Sequence, residues 1–97
     1  MQQVNTPWYL TGIVEAAQKG DPDAQFALAD RFCRGHIAPK DPQQAFYWYT
    51  QCAKSGDVRG LRGLADCYAY GIGTEKDLQQ AYALLSRLVL YMMGSNC

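Results

Sequence analysis

Apolar residues recur three and four positions apart in several stretches of this chain, the spacing that puts them on one face of a helix. In one stretch Ala24, Leu28 and Phe32 fall four apart, with Ala29 beside them. Asp21-Pro22 marks its start. An aspartate accepts a hydrogen bond from a first-turn amide, and proline's missing N–H costs nothing there. Gly35 marks its end, because glycine takes the positive φ that closes a helix. After a loop over residues 35–40, Asp41-Pro42 repeats the start signal. The stripe of this next helix is Ala45, Trp48, Tyr49 and Cys52, and Ser55-Gly56 is its stop. Asp57 then caps a helix carrying Leu61, Leu64, Ala65 and Tyr68 up to Gly71, and Asp77 caps the last helix. Upstream, Thr6-Pro7 starts one more helix, from about Trp8 to Lys19. The pattern predicts five helices and no strands.

These signals repeat at a fixed period. With the chain shifted by 36 residues, so that 52–84 lies under 16–48, twelve of the 33 positions are identical. Unrelated segments of ordinary composition would match at roughly one position in fifteen to twenty. The chain is therefore a duplicated helix pair. A half unit spans 6–19, a first repeat 20–55, and a second repeat 56–93 with an extended last helix. Gly60 and Gly63 fall inside a helix, where each costs about 1 kcal/mol relative to alanine. Small residues there imply that a neighbouring helix comes close.

The last helix departs from the pattern. Where the first copy has Lys54-Ser55-Gly56, the second has Leu90-Tyr91-Met92, and eight of the ten residues from Leu84 to Met93 are apolar. Such a helix lacks the polar outer face of a solenoid cap. An exposed apolar patch marks a partner, and Leu88, Tyr91 and Met92 are the expected self-association residues. The other reading is that the helix folds back over the open end of its own solenoid.

Composition narrows the function. Ninety-seven residues make one domain, and 48% hydrophobic and 12% aromatic residues are enough for a packed core. Nine basic and nine acidic residues give zero formal net charge. Nucleic-acid binding needs a cationic surplus, so no nucleic-acid partner is expected. No signal peptide or membrane-spanning run is evident, which points to the cytoplasm, and Met1 with the early Thr6-Pro7 cap favours a complete chain. In that compartment Cys33, Cys52, Cys67 and Cys97 read as free thiols, most of them core fillers. Cys33-Arg34-Gly35-His36 is a C-x-x-H pair, but a structural zinc site needs a second close pair. No orienting third group accompanies it for nucleophilic catalysis. The paired carboxylates Asp30/Asp66 and Asp41/Asp77 are explained by the repeat, as a surface position and a helix cap. Neither metal nor cofactor is expected. Phe46-Tyr47-Trp48-Tyr49 reads as core packing, with Tyr47 alone facing solvent.

The run Gly20-Asp21-x-x-Ala24-Gln25-x-x-Leu28-Ala29-x-x-Phe32-x-x-Gly35, followed by Lys40-Asp41-x-x-x-Ala45-x-x-Trp48-Tyr49, resembles the Sel-one-like repeat, a relative of the tetratricopeptide repeats. The second copy matches through Gly56-Asp57, Leu64-Ala65, Tyr68, Gly71-Ile72-Gly73 and Lys76-Asp77. The resemblance covers about residues 13–91. It implies an all-α, right-handed solenoid of antiparallel helix pairs and a non-catalytic adaptor or scaffold that binds another protein. In such arrays the first helix of each pair lines the concave side. There Gln25, Asp30, Arg31 and Arg34 lie off the Leu28/Phe32 face, and Arg62, Asp66 and Tyr70 do so in the second unit. Arginine and tyrosine are common interface anchors, so Arg34, Arg62, Asp66 and Tyr70 are the expected partner-binding residues. A homo-oligomeric building block assembled through the last helix is the alternative.

Overall fold

The start signals at Asp21, Asp41, Asp57 and Asp77 each organise a helix in the three-dimensional structure, while the Thr6-Pro7 signal and the expected start near Trp8 lie outside the described residues. The computed structural model describes residues 11–35 and 40–94. Five helices run in order: α1 (Thr11–Gln18), α2 (Pro22–Arg34), α3 (Pro42–Lys54), α4 (Val58–Tyr70) and α5 (Leu78–Gly94). The Asp21 carboxylate accepts from the Asp23 amide at 3.0 Å, and that of Asp41 from Gln44 at 3.2 Å. Asp57 accepts from the Arg59 amide at 2.9 Å, and Asp77 from both Gln79 and Gln80. Each bond satisfies a first-turn amide that has no intrahelical partner. At the other ends, Gly35 and Gly71 sit at φ 72° and 70° and donate to the carbonyls of Arg31 and Cys67.

The turns repeat as faithfully as the helices. The Asp41 amide donates to the Phe32 carbonyl at 2.9 Å, and its counterpart Asp77 donates to Tyr68 at 2.8 Å. Between units, Asp21 donates to Ala16 and Asp57 to Cys52, again 36 residues apart. The repeat therefore fixes the path of the backbone. Consecutive helices pack pairwise, α1 on α2, α2 on α3, α3 on α4 and α4 on α5. The result is a short all-helical solenoid.

Its core is one layer running through the stack. Leu28, Ala29, Ala45, Cys52, Ala65 and Cys67 are at most 1% exposed. Ala17, Ala24, Phe32, Trp48, Tyr49, Leu61, Leu64, Ala81 and Leu84 complete it among the described residues. The interior glycines explain how α3 and α4 come together. A Cβ on Gly60 would lie 2.6 Å from the Cys52 carbonyl carbon, and one on Gly63 would lie 2.8 Å from Cγ of Tyr49. Their absence allows backbone-to-helix contact, and the lost propensity is offset by dispersion over a close interface.

One residue placed on the surface by its polarity is in the core. Gln25 is 5% exposed. Its amide nitrogen donates to the Ala17 carbonyl at 3.0 Å, and its amide oxygen accepts from the Ser55 hydroxyl at 3.4 Å. Gln25 thus ties α1 to the end of α3, and is no part of a binding surface. The repeat carried the signal, since the equivalent position holds Leu61, which is 4% exposed.

Candidate functional site

The first helices of the two units, α2 and α4, each bear an outward stripe at positions four apart. On α2 it is Phe26, Asp30 and Arg34, and on α4 it is Arg62, Asp66 and Tyr70. These positions correspond across the 36-residue period. Each stripe has an aspartate at its centre, flanked by one aromatic and one arginine, in opposite order on the two helices. Between them lies a shallow groove of about 360 Å³, lined by both arginines, both aspartates and Arg59, with Phe26, Tyr49 and Gly63 as its apolar floor.

The structure places three of the four expected binding residues in this groove. Arg62 and Asp66 are exposed, and among the described residues neither has an ion-pair partner. Arg34 is exposed but engaged, its Nε donating to Asp30 at 2.9 Å. That pairing holds the guanidinium above its ordinary pKa, chiefly through the hydrogen bond. Tyr70 lies outside the groove lining, one turn beyond Asp66, and is 76% exposed. The hydrogen bond from Arg31 goes to the Ala27 carbonyl of its own helix, at 3.3 Å.

Sequence reasoning missed Arg59. Its guanidinium donates to the Asp57 carboxylate at 2.8 Å, reaches Asp23 of the preceding unit, and lies 4.9 Å over the Phe26 ring. Hydrogen bonds to Asp57 first, and then to Asp23, raise its pKa further. The same contact holds the Asp57 carboxyl below its ordinary range. The available signal was the correspondence of Asp23 with Arg59 at one repeat position, opposite charges in consecutive units. At the base of the groove, burial raises the Tyr49 hydroxyl pKa and keeps it neutral. Phe26 meets Tyr49 at 6.2 Å between centroids.

Cys52 and Cys67 are fully buried, and burial pushes their thiols up to about 11 and about 12. Cys33 is half-buried, while its candidate partner His36 lies outside the described residues. Among the described residues no three metal-ligating side chains cluster, and no helix is long and apolar enough to cross a membrane.

The expected self-association residues map differently. Leu88 is half-buried, and the side chains of Tyr91 and Met92 lie outside the described residues. Instead Leu78, Tyr82, Leu85, Val89, Leu90 and Met93 of α5 are exposed, from 43% for Leu85 to 75% for Tyr82.

Comparison with known proteins agrees with this architecture. The Sel1 repeat pattern matches residues 22–57 and 58–88. An uncharacterized protein of Neisseria meningitidis is 36% identical over 67 residues, covering 69% of this chain and 14% of that protein. An uncharacterized Sel1-like repeat-containing protein of Schizosaccharomyces pombe is 36% identical over 74 residues, 75% of this chain and 11% of its own length. A chitin synthase regulator of Saccharomyces cerevisiae is 30% identical over 67 residues, 69% of this chain and 10% of its own. The chain thus spans a small part of these relatives. The crystal structure of a Sel1 repeat protein from Oxalobacter formigenes superposes with a TM-score of 0.80 at 28% identity, over 87% of this chain and 24% of the other. Two matched repeats, the repeated helix pairs and this superposition place the chain in the Sel1 repeat family.

Proposed function

We propose that this chain is a non-catalytic adaptor whose α2–α4 groove binds a segment of another protein. Sel1 repeats generally mediate protein–protein contact, and one relative is by name a regulator. The observation that carries the reading is the pair of stripes. Arg62, Asp66 and Tyr70 project from a rigid helix with no internal ion pair among the described residues. Exposed arginine, aspartate and tyrosine side chains beside an apolar floor suit a ligand that replaces their water with polar partners of its own. The stripe carries both signs of charge, which selects a segment of mixed charge with an apolar side chain for the floor of Phe26 and Tyr49. Arg59 acts indirectly by bracing Asp23 and Asp57 across the two units.

The test is affinity capture from cell extract with quantitative mass spectrometry, comparing wild type with Arg62→Ala/Tyr70→Ala. Both side chains are exposed, so the variant should melt within about 2 °C of wild type, as surface changes usually do. Proteins retained by wild type should drop at least tenfold with the variant, about the effect of losing one anchor. Equal retention by both proteins would refute the groove as the binding surface.

A further inference from the structure

We propose that α5 pairs antiparallel with the α5 of a second copy of this chain, about a two-fold axis passing between Leu85 and Ser86. The equivalent helix one unit earlier is α3. On α3 the positions Pro42, Phe46, Tyr49 and Ala53 form the face that receives the next unit. Phe46 meets Tyr68 edge-on at 5.6 Å between centroids, while Tyr49 and the 52–53 backbone take Gly63 and Gly60. Thirty-six residues on, these positions are Leu78, Tyr82, Leu85 and Val89. They are 62%, 75%, 43% and 52% exposed, so the docking face of the solenoid is bare at this end among the described residues.

A further unit in the same register does not fit that face. The preceding second helices turn after Gln18 and Lys54, whereas α5 runs on through Leu90 to Gly94, helical through the positions 91–93 that correspond to the turn at 55–57 one unit earlier. The closest-approach pair is Ala16-Ala17 in α1 and Cys52-Ala53 in α3, but Leu88-Val89 in α5. Bulk at that point keeps out a small-residue helix of the Gly60/Gly63 kind.

A second α5 does fit. Leu78, Tyr82, Leu85, Val89 and Met93 are spaced four, three, four and four residues apart. At about 100° per residue they share a stripe roughly 80° wide, the seam geometry of paired helices. The seam is self-complementary when read in opposite directions: Leu78 faces Met93, Tyr82 faces Val89, and Leu85 lies at the axis. No charged residue lies on it, and Arg87, the one charged residue of α5, is on the far side of the helix. Self-pairing therefore meets no like-charge repulsion, and the zero formal net charge adds none at longer range. The five side chains expose on the order of 500 Å² per chain, so the pair buries roughly 1,000 Å² before its rim is counted, the lower bound for a specific interface. This surface lies away from the α2–α4 groove, so a dimer would offer two grooves to partners.

Sedimentation velocity from low to high micromolar concentration tests the pairing, with Tyr82→Asp and Val89→Asp as variants at exposed positions. Wild type should shift from monomer to dimer, and each variant should weaken the dimer at least tenfold with an unchanged helical circular dichroism spectrum. The register is tested by oxidation in a Cys33→Ser/Cys97→Ser background. Leu85→Cys should form a disulfide-linked dimer by itself. Leu78→Cys should do so only when mixed with Met93→Cys. Wild type that stays monomeric throughout would overturn the proposal. So would a dimer unaffected by both aspartates, or Leu78→Cys that cross-links by itself, which signals parallel pairing. None of these outcomes depends on whether the groove binds its partner.

Discussion

The close contact between α3 and α4 makes an exacting test of the packing argument, because one substitution type should have opposite signs at two sites. Glycine to alanine in a helix interior gains up to about 1 kcal/mol from propensity and unfolded-state entropy. At Gly12 in α1 a Cβ meets nothing within 4 Å, so Gly12→Ala should keep part of that gain. At Gly60 the same Cβ would lie 2.6 Å from the Cys52 carbonyl carbon and 2.8 Å from the Cys52 Cβ, and would also collide with the Ala53 amide nitrogen. Backbone cannot step aside as a side chain can, so α3 and α4 must separate along their length. Overpacking of this kind costs about 1–3 kcal/mol, and the backbone collision puts Gly60→Ala toward the upper part of that range. The net loss is about 1–2 kcal/mol after the propensity gain, which lowers Tm by roughly 5–15 °C in a domain this size. Thermal melts followed by circular dichroism on wild type, Gly12→Ala and Gly60→Ala are sufficient. If Gly60→Ala melts at or above wild type, the glycine is not there for the close approach and the account of the α3–α4 interface fails.

Other expectations follow from particular contacts. Asp57→Ala should cost about 1 kcal/mol through the lost cap. Asp57→Asn should retain part of the cap while losing the charge contact with Arg59. Because Arg59 lowers the Asp57 pKa, the stability it contributes is present above the ordinary carboxyl value of 3.8 and is lost as pH falls through the depressed one. The Tm gap between wild type and Asp57→Asn should therefore narrow between about pH 5 and about pH 2. In a Cys97→Ser background, a disulfide-exchange reagent at mildly alkaline pH should modify Cys33 first. Cys52 and Cys67 should react only on unfolding, since burial pushes their thiols up to about 11 and about 12. Raised thiol pKa values also mean that this stabilisation holds below the ordinary value of 9.0 and is lost as pH rises toward the folded values. Finally, Gln25→Leu should lie within about 1 kcal/mol of wild type, since Gly20 also donates to the Ala17 carbonyl. Gln25→Ala should be about 1–2 kcal/mol worse than Gln25→Leu, through the cavity it leaves.

The elements were legible because each boundary has a local chemical cause. Asp21, Asp41, Asp57 and Asp77 cap helices from their own side chains, and Gly35 and Gly71 close them through their own φ angles. None of this needs a distant partner. The groove was legible in part. Arg34, Arg62 and Asp66 line it as the helical spacing suggests, because spacing fixes which residues share a face. Arg59 escaped because its role is a contact between units, with Asp23 one full repeat away, and nothing local points to it. Gln25 was misplaced because polarity was read one residue at a time, although a buried amide is stable wherever both ends of its side chain find partners. Of the expected self-association residues, Leu88 is half-buried and the side chains of Tyr91 and Met92 lie outside the described residues; an apolar run does not say which side of a helix the next unit occupies. That requires knowing which α3 residues the Gly60/Gly63 helix touches.

The repeat itself separates packing from recognition. Four core positions keep their size across the two units: Leu28 and Leu64, Ala29 and Ala65, Ala45 and Ala81, Phe32 and Tyr68. A close-packed interior penalises even a methylene there. In the groove, the central Asp30 and Asp66 are the same, while the flanking positions swap Phe26 for Arg62 and Arg34 for Tyr70. No internal packing rule demands that exchange, because these side chains border an open groove. It leaves the two stripes in opposite order, so an extended segment lying between α2 and α4 would meet Phe26 and Arg62 at one end, an aspartate pair in the middle and Arg34 at the other, with Tyr70 a turn beyond the groove lining. On α5 the change is of another kind. Pro42, Phe46, Tyr49 and Ala53 give way to Leu78, Tyr82, Leu85 and Val89, which stay apolar although nothing among the described residues covers them. The antiparallel pairing proposed above would cover that seam with the same residues running the other way.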